Sequence, residues 1–146
     1  MNTGLPKKQK GAAAIEFALV FVIFFAVLYG VLSYSFPLLL MQSFNQATAE
    51  AVRRSMAVDP SLAADDYKNQ VETLAKSVLD TQLGSLPTAL TTNVSKTAVY
   101  NAGVLTVTVT LPVATLNAIL PVLKLPGNIT VPSLPPTLSS TSSLQF

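Results

Sequence analysis

The sequence predicts an α+β fold: a long N-terminal transmembrane helix, a second amphipathic helix and a small C-terminal antiparallel sheet. Three observations carry this. An apolar run follows directly on a cluster of lysines, apolar residues then recur at helical spacing to about Leu83, and beyond Pro87 the period changes to strict alternation.

Between Ala12 and Leu32 the single charge is Glu16. At a rise of about 1.5 Å per residue this run reaches roughly 31 Å, the thickness of a bilayer's hydrocarbon core. Lys7, Lys8 and Lys10 precede it, so the positive-inside rule keeps the N-terminus in the cytoplasm and sends the rest across the membrane. The expected division is residues 1–11 as a cytoplasmic leader, 12–36 as the transmembrane helix and 37–146 as an extracytoplasmic α+β domain. A secretory signal peptide, with Ser33 and Ser35 as its small residues, is the competing reading. Its apolar region would span only about 7–15 residues and a charge within it is unusual, whereas this run is longer and holds a carboxylate.

Pro37 bends or ends a helix. Helical periodicity nevertheless resumes, with Met41, Phe44, Ala47 and Ala51 on one side and Gln42, Gln46, Glu50, Arg53 and Arg54 mostly on another, so the helix is expected to continue to about Val58. Glu50 and Arg54 are spaced for an ion pair across one turn. Asp59-Pro60 is read as the stop of this helix and as the cap and first-turn proline of the next. The second helix carries a stripe of Tyr67, Val71, Leu74 and Val78, flanked by Ala75, Leu79 and Gln82, and closes at Gly84. Asp65-Asp66 has the composition of a metal-binding pair, but adjacent residues point to different sides of a helix, and an early turn suits the helix dipole.

"VLTVTVTL" sets Leu105, Val107, Val109 and Leu111 against Thr106, Thr108 and Thr110, the pattern of a half-buried strand. Asn101-Ala102-Gly103 is the hairpin loop behind it, and the preceding strand falls within Leu90–Tyr100. The prolines at 112, 121, 126 and 132 leave room for a short helix near Thr115–Leu120 and an extended piece at Asn128–Val131. "TLSSTSSLQF" alternates Leu138, Leu144 and Phe146, which favours a last strand over a polar tail. The Tyr67 stripe and the Leu105 face are expected to bury each other.

Composition narrows the chemistry. Only 11% of residues are charged, and Cys, His and Trp are absent, which removes thiol nucleophiles, thiolate metal sites and the commonest general base. Setting Lys7, Lys8 and Lys10 aside, six of nine basic residues remain against seven acidic ones, so no basic nucleic-acid surface is present. The reading is a non-enzymatic chain with no cofactor and no nucleic-acid partner. Two sequons, at Asn93 and Asn128, and "LPPTL" at Leu134–Leu138, which lacks the glycine and trailing apolar span of a sortase signal, are taken as accidents.

A carboxylate inside a membrane run costs about 2.5–3.5 kcal/mol on insertion scales and needs a cation. Lys10 is too far along the chain for helical pairing with Glu16. A cut after Gly11 would put a free ammonium on Ala12, one turn away. "KGAAAIEFALV", with Glu16 as the fifth residue after Gly11 and Phe17 following, resembles the prepilin processing motif of type IV pilins and pseudopilins, and more narrowly the TadE-like proteins of tight-adherence (Tad) pilus systems. The resemblance extends to the helix end at Asn45, Ala47, Ala49, Glu50, Ala51, Arg53 and Arg54, and to the late "VTVTVTLP" with the segments after it. Glu50 stands before the arginines rather than among them, a departure from the family pattern.

The resemblance implies a pilin-type helix, cleavage between Gly11 and Ala12 by a cytoplasm-facing prepilin peptidase, and Glu16 and Phe17 as the registry and processing motif. It implies a minor pilin or pseudopilin of the inner membrane, N-terminus in and domain periplasmic, acting in Tad pilus assembly as an initiation, tip or biogenesis component, with entry into an extracellular pilus left open. Its partners would be other Tad pilins, inner-membrane platform proteins and the lipid bilayer. The rival is an unprocessed, single-span periplasmic scaffold or binding module.

Overall fold

The computed structural model of the chain describes residues 8–125 and 129–146. Lys7, the rest of the leader before it, Pro126 and Asn128 lie outside the described residues, and of Lys8 and Lys10 only the backbone is described.

Helix α1 (Lys8–Ser55) is a single helix of 48 residues that runs through Pro37. At the helical rise it is about 72 Å long. Its two parts differ sharply in surroundings. Every residue from 11 to 28 is exposed, whereas Ser33, Pro37, Leu40, Phe44, Ala47, Thr48, Ala51, Val52 and Ser55 are buried. Those positions recur every three or four residues and so form one face, the expected continuation with its register centred on Phe44.

Helix α2 (Ala64–Leu83) buries Val71, Ala75, Val78, Leu79 and Leu83, and leaves Tyr67 and Leu74 half-covered at its rim. It begins later than Asp59-Pro60 implied. Asp59 Oδ1 instead accepts the Ser61 N–H at 2.9 Å, a local turn that competes with helix initiation, and the helix starts behind Ala63. Gly84 closes α2 as expected, though in the right-handed region (φ −66°), so its access to positive φ is not what ends the helix.

A short helix α3 (Thr88–Thr91), not foreseen from sequence, leads into strand β1 (Ser95–Asn101). β1 turns through Ala102-Gly103 into β2 (Val104–Pro112), with both turn residues at positive φ, 49° and 79°. That geometry matches the right-handed twist of the hairpin. Helix α4 (Val113–Asn117) sits slightly before its expected place, followed by β3 (Leu123–Leu125), β4 (Ile129–Val131) and β5 (Thr137–Gln145). The main sheet has the order β1-β2-β5, antiparallel throughout, and β3 pairs with β4 as a separate two-stranded piece. β3 carried no sequence signal of its own.

Leu105, Val107, Val109 and Leu111 of β2 are fully buried, as the alternation required. They do not meet α2 alone. The upper part of α1 contributes Leu40, Phe44, Ala47, Ala51 and Val52 to the same core, and Leu138 of β5 closes it. Ala47 and Ala51 are small, and α2 comes close enough for Ser55 Oγ to reach the Val71 carbonyl. The opposite face of the sheet is tiled by Thr106, Thr108 and Thr110 between Ser95, Thr97 and Val99 on one side and Ser139, Thr141 and Ser143 on the other.

Candidate functional site

Gly11, Ala12, Glu16 and Phe17 all lie on the exposed part of α1. A Cβ at Gly11 would meet nothing within 4 Å, so the helix is open on the side where a side chain would stand. The Gly11–Ala12 bond is one turn from the described start of the helix. Glycine in a helix costs about 0.5–1 kcal/mol relative to alanine, which makes this end easy to unwind into an extended strand. Ala12 and Glu16 are separated by one turn, about 6 Å along the axis, and share a face. No described cation pairs with Glu16. Phe17, Phe21 and Phe25 follow at intervals of four and pack as tilted rings, with centroids 5.9 and 4.4 Å apart, an unbroken apolar surface with the carboxylate at its start.

The far end of α1 carries a polar group of different character. Glu50 accepts from Arg53 Nε at 2.8 Å and from Arg54 Nε at 2.6 Å, so both arginines fold back on one carboxylate. The sequence had indicated only the Arg54 pair. Hydrogen bonds from Arg53 and then Arg54 hold the Glu50 carboxyl well below the usual carboxylate range, at about 2. One turn earlier, Ser140 Oγ of β5 donates to Asn45 Oδ1 at 2.6 Å and lies 3.1 Å from Thr48 Oγ1, which also accepts from Ser142 Oγ at 2.9 Å. The signal for this contact was the parity of β5: Ser140 and Ser142 share the inward face with Leu138 and Leu144.

Between these two ends, α1 is tied to the late part of the chain. The Tyr29 hydroxyl donates to the Pro121 carbonyl oxygen, and the Tyr34 hydroxyl accepts the Ser133 N–H at 2.9 Å. Neither tyrosine was singled out by sequence, since their partners stand far away in the chain.

The parts of α1 now have distinct surroundings: an open apolar half headed by Gly11 and Glu16, and a half built into the core and ending at the Glu50–Arg53–Arg54 group. Residues 11–53 match the family model described as TadE-like protein. The TadE-like segment thus begins at Gly11 and ends at Arg53, taking in both halves of α1 and none of α2 or the sheet. No curated protein and no solved structure matches the chain. The match covers α1 alone, and the exposed half of this helix is long and apolar enough to cross a membrane. Within the TadE-like segment, Asn45 and Thr48 fasten the helix to β5, Ala47 and Ala51 allow close packing, and Glu50 gathers the two arginines.

Proposed function

We propose that this chain is a minor pilin or pseudopilin of Tad pilus assembly, made as a membrane precursor and cut between Gly11 and Ala12 by a prepilin peptidase. Lys7, Lys8 and Lys10 hold residues 1–11 in the cytoplasm, residues 12–36 span the inner membrane, and residues 37–146 form the periplasmic domain. Cleavage frees the Ala12 ammonium, and Glu16 of a neighbouring pilin-type subunit pairs with it, fixing the axial register of adjacent helices before the subunit enters the pilus. Phe17 begins the apolar face that packs against those neighbours. Its role is structural: platform proteins and other pilins are its partners, and it supplies shape at the initiation complex or tip.

The observation that carries this reading is the placement of Gly11, Ala12 and Glu16 at the open, apolar end of a helix whose TadE-like match starts at Gly11. Further support comes from Leu38, which stays exposed beyond the expected span and lines an apolar groove of about 410 Å³ with Pro37, Met41 and Leu138, a surface suited to a neighbouring helix.

Intact-mass analysis in a host with its prepilin peptidase tests the proposal. The wild-type chain should lose residues 1–11 and Gly11→Leu should keep them. Retention of the leader by the wild type would favour the unprocessed membrane-anchored scaffold instead.

A further inference from the structure

The segment from Ile119 to Leu125 forms a lobe outside the main sheet, with β3 paired to β4 at its edge. Two of its side chains are apolar and open to the surroundings, Ile119 at 43% exposure and Leu123 at 40%. The lobe is pinned to α1 at a defined height, because Tyr29 donates to the carbonyl of Pro121. Counting from Ala12, a hydrocarbon core of about 30 Å takes up roughly 20 helical residues and ends near Val31. Tyr29 lies in the last turn of that span. Whatever stands at its level meets the boundary between acyl chains and headgroups, where tyrosine is favoured and where a lysine such as exposed Lys124 reaches headgroup phosphates.

We propose that the Ile119–Leu125 lobe is a membrane-interface contact: Ile119 and Leu123 insert among the outer ends of the acyl chains, Tyr29 and Tyr34 stand at the headgroup level, and the domain rests on the leaflet instead of standing away from it on a bare helix. The occupant of this surface is lipid, because Pro121, between Ile119 and Leu123 in the chain, is bonded to Tyr29 at the upper end of the exposed apolar half of α1. The inference rests on the reading of α1 as a membrane span. The opposite pole also exposes apolar side chains, Val99 at 54% and Met56 at 53%, but Val99 pairs with Thr106 and so stands level with Ser143, near the end of α1 farthest from Tyr29 and away from the span.

The chain contains no tryptophan, so a single introduced indole reports its own depth. Full-length Phe21→Trp, Ile119→Trp, Leu123→Trp and Val99→Trp chains would be reconstituted in phosphatidylcholine vesicles whose acyl chains are brominated at either shallow or deep positions. Ile119→Trp and Leu123→Trp should lose most of their emission to shallow bromines and less to deep ones, Phe21→Trp should be quenched by deep bromines, and Val99→Trp should emit equally in brominated and plain lipid. If Phe21→Trp is quenched while both lobe indoles behave like Val99→Trp, the lobe does not touch the bilayer and the proposal falls. Lobe emission that is blue-shifted but unquenched, and that varies with protein-to-lipid ratio, would assign the patch to a second copy and equally overturn it. An unquenched Phe21→Trp would remove the membrane span itself.

Discussion

Thr48, in the upper part of α1, lies 3.1 Å from Ser140 of β5, hydroxyl to hydroxyl, with both residues buried. Each has other partners: Thr48 also bonds the Asn45 carbonyl and Ser142, and Ser140 donates to Asn45 Oδ1. The long helix is therefore joined to the last strand by a satisfied polar cluster inside a largely apolar core. Such a cluster penalises partial removal more than complete removal.

Thr48→Val should accordingly destabilise the domain by about 1 kcal/mol, since it leaves Ser140 and Ser142 short of a partner. Combining it with Ser140→Ala and Ser142→Ala should recover part of that loss. Urea denaturation of the chain in detergent checks both, and strict additivity of the three substitutions would show that the hydroxyls act independently.

The β1–β2 turn predicts a gain. Ala102 holds φ at 49°, a left-handed conformation that costs an L-residue with a Cβ roughly 1–2 kcal/mol. Ala102→Gly and Ala102→Asn should each raise stability, by about 0.5–1 kcal/mol for the asparagine. Gly103→Ala should lower it, because Gly103 stands at φ 79°. Thermal melts of the three variants give the order directly.

Deleting residues 1–36 should leave a folded, water-soluble domain, because Leu40, Phe44, Ala47 and Ala51 remain to complete the core with α2 and the sheet. The same deletion removes Tyr29 and Tyr34, the ties of the Pro121–Ser133 segment. Hydrogen exchange should show the main sheet protected as in the full chain and the β3–β4 piece freely exchanging. A fragment without a cooperative melt would mean that the head depends on the lower part of α1.

Glu16→Ala should insert in the membrane at least as well as wild type, having lost a costly charge, yet fail to co-purify with pilin-type partners or support piliation. An ammonium left without its carboxylate in that setting costs several kcal/mol. Glu16→Gln keeps the size and removes the charge. Wild-type piliation by the glutamine variant would reject charge pairing, and an uncut Ala variant would shift the role of Glu16 to peptidase recognition.

Local pattern made much of this fold legible. The Leu105–Leu111 alternation located β2 and its buried face, and the helical spacing around Phe44 carried α1 past Pro37, because both depend only on the period of neighbouring residues. Gly11, Glu16 and Phe17 were picked out by the lone charge in an apolar run and by resemblance to a processing motif, and the structure adds their exposed surroundings. Asp59-Pro60 misled for a physical reason: the Asp59 side chain can cap a helix or close a turn on Ser61, and the choice is made by what packs around it. The Tyr29–Pro121 and Thr48–Ser140 contacts bring together residues 92 positions apart, and no local period encodes such a meeting.

The direction of β5 along α1 has a mechanical consequence. Pro37 and Met41 lie beside Leu138, Asn45 beside Ser140 and Thr48 beside Ser142, so the helix and the last strand run the same way. Tension between the anchored end of α1 and the outer pole of the domain would pull along both elements at once. The contacts between them would then be loaded in shear and share the strain, whereas a strand crossing the helix would peel away one contact at a time. A chain built this way can bear load along its axis with a domain no larger than this one.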